Sequence, residues 1–136
     1  MVENIINQIS PSDVNSINTL SLAYIGDSVW EMYVRNFVIF KNKHSKVNKL
    51  HHISTGLVKA KSQAQMVKDL KDNDIIDEKM WDVVLRGRNS ASNPPKNADI
   101  QDYNYATGFE ALIGYLYIIK DFAKLDEIAS FCLYDK

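Results

Sequence analysis

Two carboxylates in this 136-residue chain lie where a carboxylate is costly to bury, and both could take part in chemistry. Glu110 is the only charged residue in the fourteen-residue segment 106–119. Its neighbours at helical spacing are small or apolar: Ala106, Thr107, Ile113 and Gly114. Asp27 has a half-aromatic helical face, with the neighbours Ala23, Tyr24, Trp30 and Glu31. A carboxylate on such a face must be paired or bind a metal if it is buried.

Oxygen ligands of this kind suit Mg²⁺, which proteins hold with one or two carboxylates while waters and substrate phosphates complete the octahedron. Such an ion lowers the pKa of bound water and neutralises charge on a phosphodiester. We therefore expect Asp27 and Glu110 to share one Mg²⁺ site. The alternative is that each acid makes a buried hydrogen bond or an ion pair with Arg35 or a lysine.

The cations are segregated along the chain, although the net charge is only −1. Residues 41–71 contain eight lysines, three histidines and a single acid, Asp69. Arg86, Arg88 and Lys96 lie in a stretch, 86–98, that has no acid. Such blocks could present a basic face to a polyanion or form an ordinary solvated helix surface, and charge alone does not decide between them.

Helices must position these residues, because the dominant apolar period is helical. We expect a cap at Asn18 or Ser21 to begin a helix through Phe40, and Asp77 to cap a shorter helix that stops near Gly87. The remaining predicted helices run from a cap at Ser45 through Leu70, from Asp99 or Asp102 to about Lys120, and from a cap at Asp121 to near Leu133. Segment 88–98 predicts a loop, since Asn, Ser and two prolines satisfy or remove backbone donors. The fold prediction is an all-α, single-domain helical bundle over residues 1–136.

Composition narrows the class of protein further. The one cysteine, Cys132, excludes an internal disulfide. The longest uncharged apolar run, 111–119, has nine residues, against about 18 for a membrane span. The first cation is Arg35, so the basic start of a secretory signal is missing. We expect a cytoplasmic protein.

Two motifs resemble those of the ribonuclease III family. Segment 24–29 (Y-I-G-D-S-V) is similar to that family's signature, and 109–114 (F-E-A-L-I-G) to its second motif. Four further segments resemble the Mini-III ribonucleases, short members that have the catalytic domain without the double-stranded RNA-binding domain: 21–24 (S-L-A-Y), 85–89 (L-R-G-R-N), 95–97 (P-K-N) and 106–110 (A-T-G-F-E). The resemblance implies a helical bundle of the ribonuclease III catalytic-domain type.

The resemblance also implies a homodimer that cleaves double-stranded RNA with Mg²⁺ as cofactor, including the 23S ribosomal RNA precursor, and leaves 5′-phosphate ends. Asp27 and Glu110 match two of the family's four active-site acids, as catalytic residues and metal ligands. The other two positions hold Ala23 and Thr107 here. Arg86, Arg88 and Lys96 are our candidates for RNA contacts.

The helix around Asp27 has more large apolar residues than one core-facing stripe needs. We expect some of them to form an isologous dimer interface: Trp30, Tyr33, Val34, Phe37 and Phe40. Two other functions remain open at this point. One is a non-catalytic RNA-binding or ribosome-assembly module on the same fold, and the other is a nucleotide pyrophosphohydrolase.

Overall fold

The computed structural model describes residues 5–135, and they contain helices and turns but no strand. Two short 3₁₀ helices, Ile5–Asn7 and Pro11–Ser16, precede six α-helices. These are α1 (Thr19–Lys41), α2 (Val47–Val58), α3 (Ala60–Asp72), α4 (Glu78–Ser90), α5 (Ile100–Ile118) and α6 (Phe122–Ala129), and a π-helical turn, Ser130–Tyr134, continues α6. The all-α prediction is therefore confirmed. None of the helices within 5–135 has the length and apolar character needed to cross a membrane.

Helix α5 is the centre of the bundle, and α1, α3 and α4 pack around it. Eleven of its nineteen residues are buried, and they occupy every side of the helix. A helix that is apolar all round belongs in a core, which explains why Glu110 has so few polar neighbours in sequence.

Glycines allow α1 and α5 to cross with their backbones in contact. A Cβ atom at Gly26 would lie 1.8 Å from the carbonyl oxygen of Glu110. One at Gly114 would lie 1.9 Å from the carbonyl oxygen of Leu22. No side chain of any size fits at either position, so this crossing depends on glycine in both helices.

A second close crossing joins α4 to α5. A Cβ atom at Gly108 would lie 2.4 Å from the carbonyl oxygen of Val84, and one at Gly87 would lie 2.8 Å from the Cα of Gly108. Gly87 therefore serves packing and does not end its helix. The expected stop near Gly87 is wrong, because α4 continues to Ser90 and the amide of Ala91 still donates to the Gly87 carbonyl at 3.1 Å.

The longer α4 also corrects the expected loop. Arg86 and Arg88 lie in the last turns of α4, and the connection to α5 begins only at Ala91. Lys96 does lie in that connection, where Asn93 and Asn97 have φ values of 50° and 72°. Asparagine tolerates this left-handed region better than most residues. The asparagines of segment 88–98 therefore correctly predicted a turn in this connection.

Four of the predicted helix caps are confirmed by hydrogen bonds from the first turn to the capping side chain. They are Asn18 (from the amide of Leu20, 2.8 Å), Asp77 (Met80, 2.8 Å), Asp99 (Asp102, 2.9 Å) and Asp121 (Lys124, 3.1 Å). The predicted cap at Ser45 is wrong. Lys46 occupies that position without a side-chain cap, while the Ser45 amide closes a turn onto the Asn42 carbonyl.

The segment predicted as one helix from Ser45 through Leu70 is two. Lys59, with φ −70° and ψ 155°, ends α2 and begins α3. This extended residue changes the direction of the chain, so that α2 packs on α1 while α3 packs on α5. The apolar stripe of the segment is irregular because its two halves face different partners.

Two of the residues expected at a dimer interface belong to the core of the protomer. Trp30 is 1% exposed and Val34 is fully buried. Trp30 packs edge-on against Phe109 of α5, with ring centroids 4.9 Å apart. Tyr33 and Phe37 are partly buried, and Phe40 is exposed. The helical period of α1 could not separate these faces, because its apolar residues cover more than one side.

Candidate active site

The structure brings Asp27 and Glu110 together. Asp27 lies on α1 directly after Gly26, and Glu110 lies on α5 where the two backbones touch. The Asp27 carboxyl lies close enough across this crossing to raise the pKa of the Glu110 carboxyl. Asp27 is exposed and Glu110 is half-buried, so the pair has one side open to solvent and one side in the protein.

The surroundings of Glu110 disfavour its negative charge. Burial, then the charge of Asp27, then the hydrogen bond to Asp27 raise the pKa of the Glu110 carboxyl from 4.5 to about 8. Near neutral pH Glu110 therefore tends to hold a proton, which relieves the repulsion between the two neighbouring carboxyls. A cation bound at this position would replace that proton and offset the repulsion between the two carboxylates.

No arginine or lysine among residues 5–135 makes an ion pair with Asp27 or Glu110. Arg35 makes an ion pair with Glu31 on its own helix, with an N–O distance of 3.1 Å. The other ion pair within residues 5–135 joins Lys124 to Glu127. The alternative in which Arg35 or a lysine partners Asp27 or Glu110 is wrong, since neither acid has a cationic partner in the described part of the chain.

The other two positions at which the resemblance implies an active-site acid add no carboxylate in this chain. Ala23 is buried, and the hydroxyl of Thr107 donates to the Tyr103 carbonyl at 3.0 Å within α5. Among residues 5–135 no group of three or more His, Cys, Asp or Glu side chains is placed to hold a metal ion. The protein donors at this site are thus the two carboxylates. They fit one Mg²⁺ whose other ligands are water and substrate.

The three cationic candidates do not converge on one point. Arg86 is exposed on α4, and Lys96 is exposed in the following connection. Arg88 donates to the side-chain oxygen of Asn89 and to the hydroxyl of Tyr105, both at 3.1 Å. Because residues two apart on a helix are separated by about 200°, Arg86 and Arg88 point to opposite sides of α4.

Two lysines that sequence reasoning had left inside a general basic block turn out to have specific partners. Lys68 lies over the ring of Tyr105 and Lys71 over the ring of Trp81, with Nζ 4.8 and 5.2 Å from the centroids. Their helix, α3, meets residues of α4 and α5 here. No local pattern in the sequence signals contacts between segments so far apart along the chain.

Comparisons with known proteins place the chain in one family. Residues 20–121 match the Ribonuclease III domain family. The chain is 43% identical to Mini-ribonuclease 3 of Clostridium tetani over 122 residues, covering 89% of this chain and 80% of that protein. It is 46% identical to Mini-ribonuclease 3 of a Thermoanaerobacter species over 116 residues, covering 85% of this chain and 80% of that protein.

A crystal structure of a protein from Fusobacterium nucleatum has the same fold, with a TM-score of 0.80 at 24% identity. The alignment covers 90% of this chain and 97% of that one. The predicted fold type and the resemblance read from the two motifs are both confirmed. The chain belongs to the ribonuclease III family of endoribonucleases, in which its similarity is to the short Mini-ribonuclease 3 members.

Proposed function

We propose that this chain is a Mg²⁺-dependent endoribonuclease that cleaves double-stranded RNA and acts in the cytoplasm on the 23S ribosomal RNA precursor. Residues 1–136 would form one catalytic domain. The observation that carries the proposal is the proximity of the Asp27 and Glu110 carboxyls, neither of which has an ion-pair partner within residues 5–135. A purely RNA-binding module on this fold has no use for such a pair.

Asp27 and Glu110 are the proposed catalytic residues and metal ligands. When bound, Mg²⁺ supplies activation of a water and neutralisation of charge on the scissile phosphodiester. The protein's part is to hold two oxygen donors at a fixed separation on rigid helices that cross in backbone contact. That preorganisation limits the reorganisation needed when substrate binds. By family analogy the products carry 5′-phosphate and 3′-hydroxyl ends.

The direct test incubates the pure chain with duplex RNA, with single-stranded RNA of the same sequence, and with a 23S precursor transcript. We expect Mg²⁺-dependent cleavage of the duplex and of the precursor, and no cleavage after chelation of the metal. End analysis should find 5′-phosphates. Cleavage that survives chelation would contradict the metal role, and an uncut precursor would contradict the assigned substrate.

Arg86, Arg88 and Lys96 are the proposed RNA contacts. Duplex RNA is recognised mainly through phosphates, 2′-hydroxyls and shape, so cationic side chains contribute to its binding without reading sequence. None of the three makes an ion pair within residues 5–135. Their charge is therefore available to phosphate.

Replacing Arg86, Arg88 and Lys96 together by alanine should weaken duplex binding and flatten its salt dependence. Taking the duplex DNA value of about 0.9 per neutralised phosphate as a scale, the slope of log K against log salt should fall by about 2.7. Filter binding at several salt concentrations measures it. Unchanged affinity and slope would show these residues to be an ordinary surface, and Lys59 and Lys61 would become the next candidates.

The proposed assembly is a homodimer whose two-fold axis places one site on each strand of the duplex. An open apolar groove of 770 Å³ runs between α1 and α6. It is lined mainly by apolar side chains, among them Ile25, Val29, Met32, Tyr117, Phe122 and Leu125. Tyr24, 83% exposed on α1, stands out from the surface next to the Asp27 face. A second copy of the chain would cover both features.

Sedimentation at micromolar concentration should therefore show a dimer, and Met32→Asp should convert it to a monomer. Met32 is 64% exposed, so the substitution leaves the protomer core intact but places a charge in the groove. Ile100→Asp is the matched control, since Ile100 is equally exposed at 61% and lies outside the groove. A wild-type monomer, or dissociation by both variants alike, would contradict an interface at this groove.

A further inference from the structure

A cluster of three cations and two aromatic rings occupies the surface where α3, α4 and α5 meet. Trp81 and Tyr105 stack with centroids 6.4 Å apart and an interplanar angle of 25°. Lys68 and Arg88 both lie over the Tyr105 ring, at 4.8 and 5.4 Å, and Lys71 lies over Trp81 at 5.2 Å. We call these five residues the cation–aromatic cluster.

The three cations of the cluster make no ion pair with any carboxylate in residues 5–135. Asp69, the acid within the basic block, instead accepts a hydrogen bond from the side chain of Gln65 at 2.9 Å. Lys68 and Arg88 both lie near the Tyr105 ring, so their like charges repel each other, and a bound anion would offset that repulsion.

The two rings also restrict the conformations of the cationic side chains before a ligand binds. A ring attracts an ammonium or guanidinium group through its quadrupole and leaves the outward N–H donors free. Arg88 is held a second time by the hydroxyl of Tyr105. Side chains ordered in advance lose less conformational freedom on binding, which favours binding of an anion.

We propose that the cation–aromatic cluster is a phosphate-binding surface for the backbone of duplex RNA, with Tyr105 as its positioning residue. The proposal rests on the proposed function, because the ligand is the same duplex. It extends the RNA surface from α4, where Arg88 lies, onto α3. Lys61 continues the surface, since it precedes Lys68 by seven residues and so lies about 10.5 Å along nearly the same face of α3.

The first test measures the salt dependence of duplex binding by Lys68→Gln/Lys71→Gln. Every chain in the assay carries Asp27→Asn, so that the RNA is not cut. Losing two phosphate contacts should reduce the slope of log K against log salt by about 1.8. Between about 50 and 200 mM salt, the affinity of the variant should therefore fall by a factor about twelve times smaller than that of the parent chain. Unchanged slope and affinity would overturn the proposal and would favour an acidic protein as the ligand of the cluster.

Lys41→Gln/Lys43→Gln is the matched control. It removes the same charge, and both of these lysines also lie over one ring, that of Phe40, at 5.9 and 5.4 Å. Its salt slope should equal that of the parent chain. An equal fall in both double variants would mean that only net charge matters, which would also overturn the proposal.

The second test keeps every charge of the cluster and removes the aromatic ring of Tyr105. Tyr105→Leu, in a chain that retains Asp27, should raise KM for duplex cleavage several-fold and leave kcat unchanged, while Tyr105→Phe should have a smaller effect because it keeps the ring. An effect on kcat together with lowered thermal stability would indicate a purely structural role. Failure of the unmodified chain to cleave duplex RNA would instead contradict the proposed function, whereas the binding slopes test the cluster without requiring cleavage.

Discussion

Replacing Asp27 with asparagine should abolish duplex cleavage while leaving the fold and RNA binding in place. The substitution preserves size and removes one of the two carboxylates that residues 5–135 place at the site. Changes in groups that merely orient a metal ligand already cost about 10–100-fold, so loss of a ligand itself should exceed about 100-fold in cleavage rate. Asp27 is exposed, so the protomer core is not altered. Single-turnover cleavage with saturating enzyme separates this loss from any change in binding.

Glu110→Gln provides the second arm of the same experiment. It removes the other proposed ligand, whose negative charge is disfavoured by burial. We expect the same loss of cleavage without a loss of stability. Asp82→Asn is the control, since Asp82 is an exposed carboxylate on α4. Near-normal cleavage by either active-site variant would contradict the shared Mg²⁺ site, as would a loss in the control equal to theirs.

Each acid of the site could be singled out from sequence because its own signal is local. A lone carboxylate in a fourteen-residue apolar segment has few structural explanations. Capping by Asn18, Asp77, Asp99 and Asp121 is equally local, since each cap bonds to an amide only two or three residues away. These features depend on short-range chemistry that a single chain displays directly.

Other features depend on which helix lies next to which, and those were misjudged or missed. Gly87 looked like a helix stop, but its missing side chain accommodates Gly108 of another helix. Trp30 looked available to a partner because α1 is apolar on several sides, and only its contact with Phe109 assigns it to the core. The cation–aromatic cluster joins residues from three helices, so composition showed its charge but not its geometry.

The second substitution with a large expected effect on stability and cleavage is Gly26→Ala, at the crossing of α1 and α5. The new Cβ would lie 1.8 Å from the Glu110 carbonyl oxygen, which is backbone and cannot rotate away. The helices must separate, and overpacking of this kind costs about 1–3 kcal/mol of unfolding free energy or more. The same movement carries Glu110 away from Asp27, and a misplacement of about 1 Å can cost about 100-fold in rate. We therefore expect lower stability and strongly reduced cleavage together.

Gly56→Ala is the matched control for that substitution. Gly56 lies inside α2, and a Cβ there would meet nothing within 4 Å. Alanine should therefore stabilise the chain by about 0.5–1 kcal/mol, because glycine is the poorer helix former. Urea unfolding of both variants, followed by cleavage assays at a temperature where both are folded, separates the two consequences of the Gly26 change. If Gly26→Ala remained as stable and as active as the unmodified chain, α1 and α5 could not be in backbone contact. The crossing would then not be what sets the separation of the two carboxylates.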